Sequence, residues 1–118
     1  MHGFTREQEA KLTSGPRFTE QPEERICPAC QTRAIRVYIS RYSTSNRASR
    51  ITYAWCANCR RYKGWTGPDS DGLRFNDPLE GLPPEERLSL KRDPETLFRH
   101  LDELWDSGEL PQHFDREG

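Results

Sequence analysis

The chain of 118 residues is rich in charged side chains and poor in apolar ones, with 31% charged and 32% hydrophobic residues. That composition excludes a large hydrophobic core, and the lack of any run of ~18 apolar residues excludes a membrane-spanning helix. We therefore expect one small domain with extensions, whose folding depends on more than apolar burial.

The net charge of −1 conceals one basic block that lies between two acidic ones. Residues 25–68 contain nine arginine or lysine residues and no Asp or Glu, whereas the segments before and after them are acidic. A basic centre favours contact with a polyanion such as nucleic acid, but it also allows the acidic flanks to fold onto it.

The N-terminal segment, residues 1–24, is predicted to be a flexible lead. Thr5 can cap one or two helical turns that reach Leu12, and Ser14-Gly15-Pro16 ends them. Phe4, Leu12 and Phe18 could dock on the rest of the chain, and a flexible tail without such contacts is the alternative.

The four cysteines of the chain form two Cys-x-x-Cys pairs, Cys27 with Cys30 and Cys56 with Cys59. Two residues inside each pair allow both thiolates of a tight turn to point at one centre. The 25 residues between the pairs are enough for one β-hairpin to bring the turns together. Four converging thiolates predict one tetrahedral Zn²⁺ site with Zn–S distances of ~2.3 Å. Such a site contributes on the order of 10 kcal/mol to the folding of a small module.

Other uses of these cysteines remain open at the level of sequence. A disulfide framework requires an oxidising compartment, and residues 1–9 lack the apolar segment of a secretory signal peptide, so we expect a cytoplasmic protein. A thioredoxin-like redox pair is typically a single Cys-x-x-Cys in a βαβ context. An iron site of the rubredoxin type uses the same four ligands as zinc.

Alternating side chains between and after the cysteine pairs predict three strands. The first covers residues 34–40, the second residues 50–55, and the third residues 60–65, with a polar loop at residues 43–49. The predicted fold class is a small α+β protein, in which residues 25–67 form a three-stranded antiparallel sheet attached to the metal and a helical extension follows.

Residues 27–65 resemble the zinc ribbons of the transcription elongation factor S-II and RNA-polymerase-subunit type. The shared features are the two Cys-x-x-Cys turns, the length of the hairpin between them and an aromatic strand after the second turn. The resemblance implies a zinc ribbon that contacts nucleic acid or the transcription machinery. Elongation-factor ribbons carry an Asp-Glu pair at the hairpin tip that reaches the polymerase active site. No carboxylate is present in residues 43–49, so their cleavage-stimulating activity is not expected here.

The C-terminal half is predicted to be an acidic loop or linker at residues 68–82, followed by an acidic helical extension at residues 83–118. The clearer of its two predicted helices begins after Asp93, which caps it, and ends at Gly108. Its apolar stripe consists of Leu97, Phe98, Leu101, Leu104 and Trp105. This stripe packs either on the ribbon or on a partner protein.

The candidate nucleic-acid contacts combine cations, which bind phosphates, with aromatic rings, which stack on bases. They are Arg36, Tyr38, Arg41, Tyr42, Arg47, Arg50, Arg60, Arg61 and Lys63. The alternative interpretation is that the arginines only solvate a small sheet and that the aromatic residues form its core. The expected partner is DNA or RNA.

A second hypothesis is a protein-interaction module. An inhibitor or immunity protein could use the acidic C-terminal half to block a basic toxin or nuclease. Catalysis is not expected, because the sequence contains no grouped catalytic residues or phosphate-binding loop, and a zinc ion with four thiolate ligands has no open position to activate water.

Overall fold

The structure is a computed structural model that describes residues 2–44, 47–69 and 72–116. Within these ranges it is a small α+β fold with a strand-rich sheet and three helices. The elements in chain order are β1 (His2–Gly3), α1 (Arg6–Thr13), β2 (Arg25–Ile26), β3 (Arg33–Thr44), β4 (Arg47–Cys56), β5 (Arg61–Pro68), β6 (Leu73–Phe75), α2 (Pro84–Arg92), α3 (Pro94–Ser107) and β7 (Phe114–Arg116).

The main sheet has the order β1-β5-β4-β3-β2. Its three long strands, β3, β4 and β5, are the predicted ones, and they pair antiparallel. Two strands of two residues extend the edges: β1 runs parallel to β5, and β2 runs antiparallel to β3. The described sheet therefore has two more strands than predicted, because residues 2–3 and 25–26, which precede the first predicted strand, form its two edges.

The central hairpin is longer than predicted. Its ladder extends from Ile35 opposite Cys56 to Thr44 opposite Arg47, so most of the predicted polar loop is strand. Polar side chains do not prevent pairing here, because the ladder depends on the backbone. Residues 45 and 46, the centre of the predicted loop, lie outside the described residues.

Helix α3 covers one face of the sheet. Asp93 accepts a hydrogen bond from the Glu95 N–H at its start, and Gly108 ends it in the left-handed conformation, with φ of 85°, as predicted. The Phe98 ring stacks on Trp55 of β4 with centroids 5.0 Å apart. The core on this face also contains Tyr38 and residues from the loop before α2.

The opposite face is covered by elements from both ends of the chain. Val37, Ile39 and Ala54 are buried there against Phe18 and against the aromatic side chains of β6 and β7. These two short strands pair antiparallel, with Phe75 opposite Phe114. Across the described residues, the middle of the sheet is thus covered on both sides.

Gln112 completes the outer edge of β3. Its side-chain amide accepts a hydrogen bond from the Ile39 N–H at 2.9 Å and donates one to the Ile39 carbonyl oxygen at 2.9 Å. A third bond, of 2.8 Å, joins the amide nitrogen to the carbonyl oxygen of Asn76. A buried side chain therefore takes the place of a neighbouring strand and satisfies backbone groups that would otherwise be unpaired.

Helix α1 packs beside the first cysteine turn. Thr5 and Gln8 form the reciprocal hydrogen bonds of a capping box, and Leu12 is buried in a cluster that contains Phe4, Cys27 and Cys56. The N-terminal segment thus contributes apolar contacts to the region around the cysteines. The predicted segment boundaries along the chain stay predictions.

Candidate metal centre and basic surface

The four cysteine sulfurs lie together at one end of the central hairpin. All four Sγ atoms are within 4.8 Å of one another and no disulfide joins them. Sγ–Sγ distances are 3.7 Å for Cys27 and Cys59 and 3.6 Å for Cys30 and Cys56. A disulfide would bring two sulfurs to ~2.05 Å, whereas a tetrahedron with metal–sulfur bonds of ~2.3 Å has edges of ~3.8 Å. The cluster therefore has the spacing of a four-thiolate metal site, as predicted from the two cysteine pairs.

Two similar turns position the sulfurs. In the first turn the Gln31 N–H donates to the Cys27 carbonyl, and in the second the Arg60 N–H donates to the Cys56 carbonyl, at 2.9 and 3.0 Å. Gln31 and Arg60 both have positive φ, of 62° and 66°. This conformation is unusual for residues other than glycine, so the surrounding contacts must hold the backbone there.

Hydrogen bonds to sulfur support the thiolate form at this cluster. Backbone N–H groups donate from Ala29 to the Cys27 Sγ and from Cys59 to the Cys56 Sγ, each at 3.3 Å. The Asn58 side chain donates to the Cys30 Sγ at 3.4 Å. Backbone and amide donors of this kind compensate the charge that four thiolates would concentrate at one point.

The thiol pKa values differ widely within the cluster. Burial raises the pKa of Cys56 to about 12 and also raises that of Cys27. The hydrogen bond from Asn58 lowers the pKa of Cys30 to about 6. Burial thus disfavours the thiolate form of Cys27 and Cys56, and a bound cation would stabilise that form. This donor set fits a thiophilic metal ion.

Asp102 of α3 connects the helix to the second cysteine turn. Its carboxylate accepts hydrogen bonds from Arg60 at 2.7 Å, from Arg36 at 2.8 Å and from the Trp55 indole N–H at 2.9 Å. Arg60 directly follows Cys59, so this side-chain ion pair links the second cysteine turn to a carboxylate 42 residues away in sequence. Asp102 is not among the predicted site residues, because no local pattern distinguishes it from the exposed acids of the same helix.

Most of the predicted nucleic-acid contacts form ion pairs with the acidic flanks. Besides the Asp102 pairs, Arg36 bonds Glu24 at 3.1 Å and Lys63 lies 3.4 Å from Glu9. At the far end of the hairpin, Asp69 bonds Arg41 at 2.8 Å and Arg50 at 3.3 Å. The flanks thus pair four carboxylates with five of the nine cations of the basic centre, so its charge is partly neutralised by the chain itself.

Tyr38 and Tyr42 have different environments. Tyr38 is fully buried, and its hydroxyl donates to Asp77 at 2.6 Å. Its ring therefore lies in the core and is not accessible for the predicted stacking on a base. The side chain was placed on the correct face of β3, but α3 covers that face. Tyr42, near the end of the strand, is 36% exposed. Arg47 is also exposed, and Arg61 is half-buried.

A shallow groove lies at the far end of the hairpin. It encloses about 580 Å³ between the end of β3 and the strands β4 and β5. Its lining includes Tyr42, Arg47, Thr66 and Asp69. Arg47 forms no ion pair with the residues that the structure describes, so it is a free cation at the edge of this groove.

The apolar stripe of α3 is used within the chain. Leu97, Phe98 and Leu101 are buried against the sheet, while Leu104 and Trp105 are half-buried at the margin of the same core. The expectation that this stripe could bind a partner is therefore not supported for its central residues, because they already cover Trp55 and its neighbours.

A scan against protein-family models, a search of curated proteins and a search of solved structures each found no match to this chain. Among the described residues, no helix has both the length and the apolar character needed to cross a membrane.

Proposed function

We propose that the chain is a non-enzymatic zinc ribbon in which Cys27, Cys30, Cys56 and Cys59 bind one Zn²⁺ ion. The observation that supports the metal is the pair of Sγ–Sγ distances, 3.6 and 3.7 Å, close to the edge of a zinc–thiolate tetrahedron. When bound, zinc links the two cysteine turns and so stabilises the fold. Iron would accept the same ligands, and elemental analysis of the purified protein distinguishes the two.

We further propose that the ribbon binds DNA or RNA through the end of its hairpin opposite the cysteines. The support is the position of the uncovered side chains: Tyr42 and Arg47 are exposed beside a groove there. An aromatic ring can stack on a base, and a guanidinium can bond a phosphate through two hydrogen bonds. Nearer the cysteines, by contrast, Arg36 and Arg60 are engaged by carboxylates.

The test is binding of fluorescein-labelled dT20 and rU20, measured by fluorescence anisotropy from ~50 mM salt upward. Arg47→Gln should reduce the slope of log affinity against log salt by roughly 0.7–0.9. Tyr42→Ala should weaken binding by about 1–3 kcal/mol if its ring stacks on a base. Arg74→Gln is the matched control for Arg47→Gln, because it removes one exposed positive charge outside the groove.

The proposal fails if wild-type protein does not bind either oligonucleotide at ~50 mM salt, or if Arg47→Gln and Arg74→Gln behave alike. The alternative, a module that blocks a basic protein with its acidic C-terminal half, has less support, because Asp69 and Asp102 of that half already pair with arginines of the sheet. Acids of the same half that remain exposed include Glu103, Asp106 and Glu109.

A further inference from the structure

We propose that the nucleic-acid-binding surface continues from the end of the hairpin onto α2, where Lys91 contacts a second phosphate of the bound oligonucleotide. The inference rests on the proposed function and makes it more specific. It assigns a ligand contact to the helical extension, at a residue outside the predicted nucleic-acid contacts. It also gives the path of the oligonucleotide, which passes from Arg47 over Tyr42 to Lys91.

The three side chains lie on one face of the sheet. Ser40 and Tyr42 are two residues apart on β3, so they project from the same face. The Lys91 ammonium donates a hydrogen bond of 3.1 Å to the Ser40 hydroxyl, which places it on that face. Arg47 shares the face, because it is directly opposite Thr44, the next residue after Tyr42 on this side of β3. From Ser40 to Thr44 the strand rises about 13 Å, so cation, ring and cation follow one another along it.

The row of side chains beside Lys91 borders the groove at the end of the hairpin. Ser40 is opposite Ile51 on β4, and Ile51 is opposite Thr66 on β5, so these three residues form one row across the sheet. Thr66 lines the groove, and so does Tyr42 of the neighbouring row. Lys91 therefore lies at the β3 end of a row whose β5 end is part of the groove.

The charge of Lys91 has no counterion among the residues that the structure describes. Its side chain is half-buried, and the one hydrogen bond that its ammonium forms with those residues goes to the neutral hydroxyl of Ser40. An ammonium has three N–H donors, so two remain for a ligand. Lys63 differs, because its ammonium lies 3.4 Å from the Glu9 carboxylate. Since charges removed from water are usually paired, an anion beside Lys91 would supply a contact that the protein itself lacks.

An extended nucleic-acid strand matches this arrangement. Its phosphates carry one charge at regular intervals, and its unpaired bases can stack on aromatic rings between successive phosphate contacts. One base on the Tyr42 ring would thus lie between the phosphates that Arg47 and Lys91 bind. Asp69 also lines the groove, but its carboxylate already pairs with two arginines.

The experiment compares Lys91→Gln with Arg92→Gln in the anisotropy assay with fluorescein-labelled dT20. Both substitutions remove one positive charge from the last turn of α2, so their effects on the helix terminus are matched. Neighbouring helical residues project about 100° apart, and Arg92 is exposed. We expect Lys91→Gln to reduce the slope of log affinity against log salt by roughly 0.7, and Arg92→Gln to leave it nearly unchanged. Lys91→Arg keeps the charge and should retain the wild-type slope.

Equal slopes for Lys91→Gln and Arg92→Gln would overturn the inference. The proposed function would remain intact if wild-type protein binds and Arg47→Gln still lowers the slope. If wild-type protein does not bind dT20 or rU20 at ~50 mM salt, both fail. Thermal unfolding and zinc content check that each variant is folded.

A second measurement uses the wild-type protein and does not depend on the folding of a variant. Lysine side chains are acetylated with acetic anhydride in the presence and absence of dT20, and the modification of each lysine is measured by mass spectrometry. Lys91 should be protected by the oligonucleotide, whereas Lys11, which is exposed on α1, should not be. Equal acetylation of Lys91 with and without bound dT20 would overturn the inference.

Discussion

The two ends of the central hairpin differ in how completely the rest of the chain covers them. At the cysteine end, Cys27 and Cys56 are buried, and Asp102 joins α3 to the turn that contains Cys59. At the opposite end, Tyr42 and Arg47 are exposed, and Asp69 forms ion pairs with Arg41 and Arg50. The residues expected to stabilise the fold and those proposed to bind nucleic acid therefore lie at different ends of the same two strands.

The two ends of the hairpin differ because the buried charges and most of the buried apolar area lie at the middle of the sheet and at its cysteine end. The aromatic core under α3 lies on the middle of the sheet, and the cysteine cluster lies beside it. A substitution at that end disturbs packing, buried hydrogen bonds and the metal site together. A substitution at the exposed end removes contacts with solvent, which contribute little to folding. The predictions below test this difference, beginning with the largest effect.

Loss of the metal site should abolish the fold. Cys59→Ser removes one of four thiolates, and metal binding is expected to contribute on the order of 10 kcal/mol, comparable to the whole stability of a typical domain. Circular dichroism and zinc content of the variant should both fall. Wild-type protein treated with a chelator should behave in the same way and recover when zinc is added back. A Cys59→Ser variant that unfolds at the wild-type temperature would contradict the assignment.

Removal of the Asp102 carboxylate should be the next most damaging change. Asp102→Ala leaves Arg36, Arg60 and the Trp55 indole without their shared acceptor, and loss of one partner of such a group costs about 3 kcal/mol. Glu103→Ala is the control, because it removes the exposed neighbouring acid. Urea unfolding gives both free energies. A difference below about 1 kcal/mol between the two variants would show that Asp102 does not join α3 to the sheet.

Gln112→Ala should cost about 2 kcal/mol of unfolding free energy. The substitution leaves the Ile39 N–H and carbonyl, and the carbonyl of Asn76, without their buried partner. The neighbouring His113→Ala, which truncates an exposed side chain, serves as the control. Amide hydrogen exchange at Ile39 provides a local measurement. Unchanged protection of that amide in Gln112→Ala would contradict the role of Gln112 as a substitute strand.

The smallest effect is expected at the open end. Arg47→Gln should change the free energy of unfolding by less than about 0.5 kcal/mol, because the side chain is exposed and pairs with no acid in the described part of the chain. The same urea titration measures it. A loss above about 1 kcal/mol would mean that this end also supports the fold, and the separation between the two ends would not hold.

Much of the local structure could be predicted from the sequence. The spacing of the cysteines predicted the cluster, since two residues between thiolates dictate a tight turn whatever surrounds it. Alternating side chains located β3, β4 and β5, and Asp93 and Gly108 marked both ends of α3. All of these features depend on residues that are close in sequence or on a repeating period, so a single chain carries enough information to detect them.

The tertiary structure decided which surfaces remain open. Alternation showed that Arg36 and Tyr38 share a face, but only the packing of α3 revealed that this face is covered. The partners Asp102 and Gln112 lie 66 and 73 residues from the groups they bond, and nothing in their local sequence distinguishes them. Alternation along a strand shows which side chains share a face of the sheet. Which distant residues cover that face or bond to it depends on how the segments pack in the tertiary structure.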